Sequence, residues 1–234
     1  MTTELSLEQA LRNLTAAFGR DPADAIRRME WELPSLPTDP AVVATHLSDA
    51  GFSPATLQAA LDVKNAVGQI NVVVHAAGIL ASLPYILEST EKITSLSLGA
   101  GNTGKEFDLE TDRRIAEFKF IAWRGGAESI RQNQLFKDFL KLLWDTSGRR
   151  KQLYLLGTAE ALRFLRAGRA LSSVLSRGDA LKQAFAAAYQ DRFTRVGEFF
   201  REFERDVEIV DLRQIVPAFA AVDVRAEAPA LEEL

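Results

Sequence analysis

The sequence predicts an α/β protein: a mixed β-sheet core flanked by helices, with helical extensions at both ends. Three observations carry this. Short runs rich in β-branched and aromatic residues (KITSLSL, KEFDLE, RIAEFKFIAW) crowd into the stretch from Lys92 to Trp123. An amphipathic segment (SIRQNQLFKDFLKLLWD) and a further apolar run (QLYLLG) follow them at once. Helix-spaced apolar residues fill the chain on either side.

Taken in order, Leu5 to Phe18 has helical spacing, and Asp21-Pro22 opens a second helix through Trp31. The prolines of LPSLPTDP break the chain before helices at about 40–50 and 53–66. An uncharged helix, from about Val63 to Leu83, is expected to be buried in the core. Three strands come next, then a helix over 129–145, the basic turn SGRRK and a strand over 152–157. Helices resume over 159–176 and 180–206, with a strand in VEIVDL, and the acidic tail AEAPALEEL is expected to fray. The organisation is a helical extension (1–62), a core (63–158) and a second helical extension ending in the acidic tail (159–234).

Composition narrows the function. Cysteine is absent, which excludes disulfides, zinc–thiolate sites and cysteine nucleophiles. No basic region followed by an apolar core opens the sequence, so a cytoplasmic protein without a secretory signal is expected. The run from Asn65 to Leu87 carries no charge and is long enough to span a bilayer, but Gln69, Asn71, His75 and Pro84 interrupt it and no basic flank orients it. A buried helix with no membrane partner is the expectation. The net charge of −4 hides an uneven distribution. Residues 1–112 hold 7 basic against 15 acidic side chains, a net of −8; residues 113–169 hold 13 against 5, a net of +8. A basic middle third suits a polyanion.

The stretch SLGAGNTGKE imitates the beginning of a phosphate-binding loop, with Gly99, Gly104 and Lys105 correctly spaced. Glu106 stands where the magnesium-binding hydroxyl belongs, and the residues after it alternate as a strand instead of opening a helix. Gly99, Gly101 and Gly104 therefore read as a turn between antiparallel strands. The next turn, at Asp112-Arg113, sets Asp108 opposite Glu117 and Glu106 opposite Lys119. Asp108, Glu117 and Lys119 then share one face, with Phe107, Leu109, Phe118 and Phe120 on the other. Paired carboxylates beside an ammonium suit a hard divalent cation; a solvated polar face is the plainer reading.

With the glycine turn, FD on one strand, IAEFKF on the next, then the helix and apolar strand, residues 63–157 resemble the PD-(D/E)XK nuclease superfamily, which has the restriction-endonuclease-like fold. Asp108 matches its first acidic position, Glu117-Phe118-Lys119 its E-x-K element, and SIRQN the start of a helix whose glutamine faces the site. The resemblance implies a metal-dependent nuclease, with DNA favoured over RNA as the substrate, or a catalytically inactive nucleic-acid-binding or assembly module on the same fold. Asp108, Glu117 and the Phe118 carbonyl would hold Mg²⁺ or Mn²⁺, Lys119 would orient the attacking water, and Gln134 or Gln132 with Arg131 would meet the phosphate or the water. Phe107 stands where many members have proline, and the preceding helix offers Gln69, Asn71 and His75 where a glutamate is common. Glu88 or Glu91 could complete the ligand set.

The basic third supplies Arg124, Arg131, Lys137, Arg149, Arg150 and Lys151 as phosphate contacts. Arg163, Arg166 and Arg169 form either a phosphate-tracking row or a solvated helix face. His46 and His75 read as ordinary residues, His75 as a satisfied buried one. Phe185, Phe193, Phe199, Phe200 and Phe203 would lie along one long helix, as core or as the seam of a homo-oligomer formed through the C-terminal helices.

Overall fold

The computed structural model describes residues 6–19, 22–36, 39–99, 104–120, 129–176 and 179–220. Its chain forms two compact units, residues 1–73 and 74–234.

In the first unit α1 (Leu7–Phe18) starts at Ser6, whose hydroxyl caps Gln9 N–H. Helix α2 (Pro22–Glu32) runs into a single 3-10 turn, and α3 (Pro40–Asp49) begins at Asp39, whose carboxylate accepts from Ala41 N–H, with Pro40 at the first helical position. Helix α4 (Pro54–Ile86) contributes to this unit as far as Val73. The helices expected over 53–66 and 63–83 are thus one. The expectation that the uncharged stretch is buried is not met: Val67, Ile70, Val73, Val74 and Leu80 are exposed, and only the C-terminal turns, at Ile79, Ser82 and Ile86, are enclosed. Among the described residues α4 is the one helix long and apolar enough to cross a bilayer.

The second unit is built on a five-stranded mixed sheet. The strands β1 (Ile93–Leu96), β2 (Leu109–Thr111), β3 (Arg114–Lys119), β4 (Arg150–Leu155) and β5 (Glu208–Asp211) lie side by side in chain order. The first three form an antiparallel meander, and β3, β4 and β5 run parallel. Parallel neighbours need a crossover. Helix α5 (Ser129–Trp144) carries the chain from β3 to β4, and α6 (Ala159–Leu165), α7 (Leu171–Val174), α8 (Asp179–Tyr189) and α9 (Val196–Phe203) lie between β4 and β5. Two short helices, α10 (Leu212–Ile215) and α11 (Pro217–Ala220), end the described chain.

Strand alternation divides the core. Ile115, Leu153 and Leu155 face Leu135, Phe136, Phe139 and Leu142 of α5 and the rings of Phe185, Phe199 and Phe200. Ala116, Phe118 and Tyr154 face Ile79 and Ile86 of α4 and Leu212 and Val216. The phenylalanines expected on one long helix are divided between α8 (Phe185), the connection after it (Phe193) and α9 (Phe199, Phe200 and Phe203), with Gln190 (φ 51°) just beyond the end of α8, and three of them are core residues of this unit. The chain from 159 to 220 therefore supplies a strand and much of one core face.

The sheet's far edge is held by a buried ionic cluster. Arg114, 3% exposed, grips the fully enclosed Glu91 through both oxygens at 2.5 and 2.6 Å, and donates to Gln152 Oε1 and the Tyr154 hydroxyl, each at 3.0 Å. Gln152 in turn donates to Glu208 at 2.7 Å. Burial opposes ionisation of Glu91, yet hydrogen bonds from Arg114, Glu88 N–H and Thr111 outweigh it and hold the carboxyl down at about 2.

Candidate functional site

The pairing Leu109↔Ala116 and Glu110↔Ile115 is the register expected from the turn at Asp112-Arg113, and continuing it sets Asp108 against Glu117. The ladder stops at Leu109, however, and Phe107 packs with Ile115 on the α5 side instead of with Leu109 and Phe118. This corrects the expected grouping of Phe107, Leu109, Phe118 and Phe120. Apolar demand from the larger core twists the chain out of alternation just before β2 begins.

The twist re-aims Asp108. Its Oδ2 accepts the Phe118 backbone N–H at 2.9 Å, so the carboxylate lies near the plane of the sheet at the end of β2. Its Oδ1 meets His75 Nε2, on α4, at 3.3 Å. His75 is half-buried, edge-on to Phe120 with ring centroids 6.0 Å apart. It is thus satisfied, as expected, but by Asp108, and it is half-buried where full burial was expected. The glycine turn serves this contact. Gly99 (φ 76°) passes so close that a Cβ there would lie 3.2 Å from His75 Cδ2, and Lys105 bonds the Leu96 carbonyl. The chain after Lys105 enters β2, not a helix.

Glu117 and Lys119 project from β3 toward α5. Glu117, with a side chain 6% exposed, is paired to Lys141 Nζ at 2.6 Å, and Lys119 Nζ lies 2.7 Å from Asp138 Oδ2. Gln134 Nε2 donates to the other oxygen of Asp138 at 2.9 Å. Three carboxyls, two ammonium groups and an imidazole thus gather where the parallel strand β3 ends. Burial first, then the charges of Asp108 and Asp138, push the Glu117 carboxyl up to about 8. Burial also raises Asp138, against the pull of Lys119. Asp108 goes the other way: burial opposes its ionisation, but His75 and the Phe118 N–H overcome that. Lys119 is raised, its burial outweighed by Asp138, Glu117 and Asp108.

Asp138 and Lys141 belong to this cluster but were not among the expected site residues. Their signal was the spacing Gln134, Asp138, Lys141, which puts all three on one helical face. That face, with Lys137 and Trp144, lines a groove of about 550 Å³ bounded by Glu106 and Leu181. Ile130, in the first turn of α5, is exposed.

The expected phosphate contacts separate. Arg124 lies outside the described residues. Arg131 and Lys137 are on α5, Lys137 in the groove. Gln132 accepts from Arg169 and so turns from the carboxylates, while Arg163 pairs with Glu160. Arg149, Arg150 and Lys151 stand at the opposite end of the sheet. Lys151 is level with Ile115 and Leu155 with Lys119, four residues or about 13 Å further on. Arg149 binds Glu110, Arg150 binds Glu88 at 2.5 Å, and Lys151 donates to the Leu143 carbonyl. Glu88 and Glu91 are committed to Arg113, Arg114 and Arg150 at that same end, so neither reaches Asp108.

Among the described residues no group of three or more His, Asp or Glu side chains is set to hold a metal ion. The donors present, the Glu117 carboxyl on β3 and the Asp108 carboxyl just before β2, with Glu117 resisting ionisation beside the charges of Asp108 and Asp138, fit a hard cation that keeps most of its waters. No protein-family model, no curated protein and no solved structure matches this chain.

Proposed function

We propose that the chain is a metal-dependent nuclease of the PD-(D/E)XK type, with the restriction-endonuclease-like fold, hydrolysing phosphodiester bonds, with DNA favoured over RNA as the substrate. The observation that carries the reading is the meeting of Asp108, Glu117 and Lys119 at the end of β3, inside a helix, three-strand, helix, strand order. Asp108, Glu117 and the Phe118 carbonyl would hold Mg²⁺ or Mn²⁺. When bound, the cation supplies Lewis-acid activation of water and screens charge on the phosphate oxygens. Lys119 orients the attacking water and stabilises the developing phosphorane charge from a position fixed by Asp138. Gln134 acts through Asp138. Lys137 and Arg131 are the phosphate contacts closest in sequence to these residues.

The engagement of Lys119 by Asp138 and of Glu117 by Lys141 favours a second reading, a non-catalytic module that binds nucleic acid on the same fold. Purified protein incubated with linear, nicked, branched and single-stranded DNA and with RNA, in Mg²⁺ or Mn²⁺, separates the two. Cleavage that disappears in Lys119→Ala while salt-sensitive binding persists supports the nuclease. Cleavage at an equal rate in Lys119→Ala refutes the assigned site, and binding without cleavage of any substrate transfers the case to the module.

A further inference from the structure

Lys141 is the cation that touches Glu117. Lys119 is held by Asp138, and His75 lies against Asp108. The ammonium also sits 4.8 Å from the centroid of the Phe107 ring, the side chain that broke strand alternation to reach this face. Phe107 and Glu117 thus form a seat for a monovalent cation, one ring and one carboxylate deep. Lys141 is held by these two groups, Glu117 and the Phe107 ring. It is 36% exposed, and its flexible stem leaves it free to swing along the groove that α5 presents to solvent.

A divalent cation bound to Glu117 would need oxygen ligands at about 2.1 Å, and an ammonium 2.6 Å from the same carboxylate stands in that shell. Like charges at such separation repel strongly in a buried site. We propose that Lys141 is the resident counter-ion of Glu117, and that a divalent cation entering between Asp108 and Glu117 expels it into the α5 groove, where it joins Lys137 as a contact for a phosphate group. This rests on the metal reading of the site given above. The consequence is coupling: the groove gains a free ammonium only after the metal has entered, so metal and polyanion favour each other's binding.

Amine acetylation at pH 9, where Glu117 has released its proton, followed by mass spectrometry reads the position of Lys141 directly, with exposed Lys64 as the internal reference. Mg²⁺ binding is measured in parallel by calorimetry. Addition of Mg²⁺ is expected to raise Lys141 labelling about tenfold over Lys64, the factor that corresponds to loss of one charge-assisted hydrogen bond. In Glu117→Gln, Lys141 should label at the high level with or without Mg²⁺. Binding heat with unchanged Lys141 labelling overturns the inference and leaves the metal reading standing. Absence of both heat and labelling change, with Mg²⁺ and with Mn²⁺, overturns both. Labelling in Glu117→Gln that stays as low as wild type also overturns it, because the anchor would then not be Glu117.

Discussion

Replacing Glu117 with glutamine tests the electrostatics of the site without requiring any substrate. Glu117 binds its proton more tightly in the folded chain than in the unfolded one, since its carboxyl moves from an ordinary 4.5 up to about 8. Between those values the folded chain keeps a proton that the unfolded chain has released. The contribution to stability is complete below pH 4.5 and declines as pH rises toward 8. The interval corresponds to about 5 kcal/mol as an upper bound. Asp138, also raised, adds to the same trend. Asp108, Glu91 and Asp211, all lowered, act below the window, and Lys119, raised, acts above it. Urea unfolding of wild type at pH 5 and pH 8.5 should therefore show lower stability at pH 8.5, with Glu117→Gln losing much less. Mg²⁺ should flatten the wild-type slope, because it binds the ionised carboxylate, and should leave the glutamine variant unchanged. Parallel pH dependence in the two proteins would refute the electrostatic account of the site.

Three further outcomes are expected. Arg114→Met strands the enclosed Glu91 carboxylate and should lower unfolding free energy by about 3–5 kcal/mol, with part of the loss recovered in Arg114→Met/Glu91→Gln; a loss under about 1 kcal/mol in urea titration would contradict the buried pair. Gly197→Ala places a Cβ 2.6 Å from the Arg166 carbonyl oxygen and 2.8 Å from that of Ala167, backbone that cannot step aside, and should cost about 2–3 kcal/mol by the same assay. ATP with Mg²⁺ should leave the melting temperature unchanged, since Glu106 occupies the hydroxyl position of the imitation phosphate loop; a rise that vanishes in Lys105→Ala would restore that loop as a nucleotide site.

The hairpin register was legible because the turn at Asp112-Arg113 and strict alternation leave one pairing, and the structure adopts it. The fate of Phe107 was not, because a large ring obeys the core that offers it most burial, and that core is assembled from residues as distant as Phe200. The misplacement of Arg149, Arg150 and Lys151 was avoidable. A strand parallel to β3 starts at the end where β3 starts, so residues preceding it must lie away from Lys119. Directionality carried that information; the summed charge of +8 obscured it. His75 needed the helical phase of α4 against the sheet, which an apolar stretch with no polar stripe does not reveal.

The Arg114 cluster bears on how the chain is made. Its members are added to the polypeptide in four instalments: Glu91, Arg114, Gln152 with Tyr154, then Glu208. Until the last emerges from the ribosome, β4 is an unpaired edge and the amide nitrogen of Gln152 lacks its acceptor. All the candidate catalytic residues, from His75 to Lys141, are synthesised earlier than the strand that closes the sheet around them. Such late, long-range closure predicts slow maturation and a nascent chain with an exposed sheet edge. A ligand of the candidate site would therefore find its full framework only once synthesis has passed Asp211.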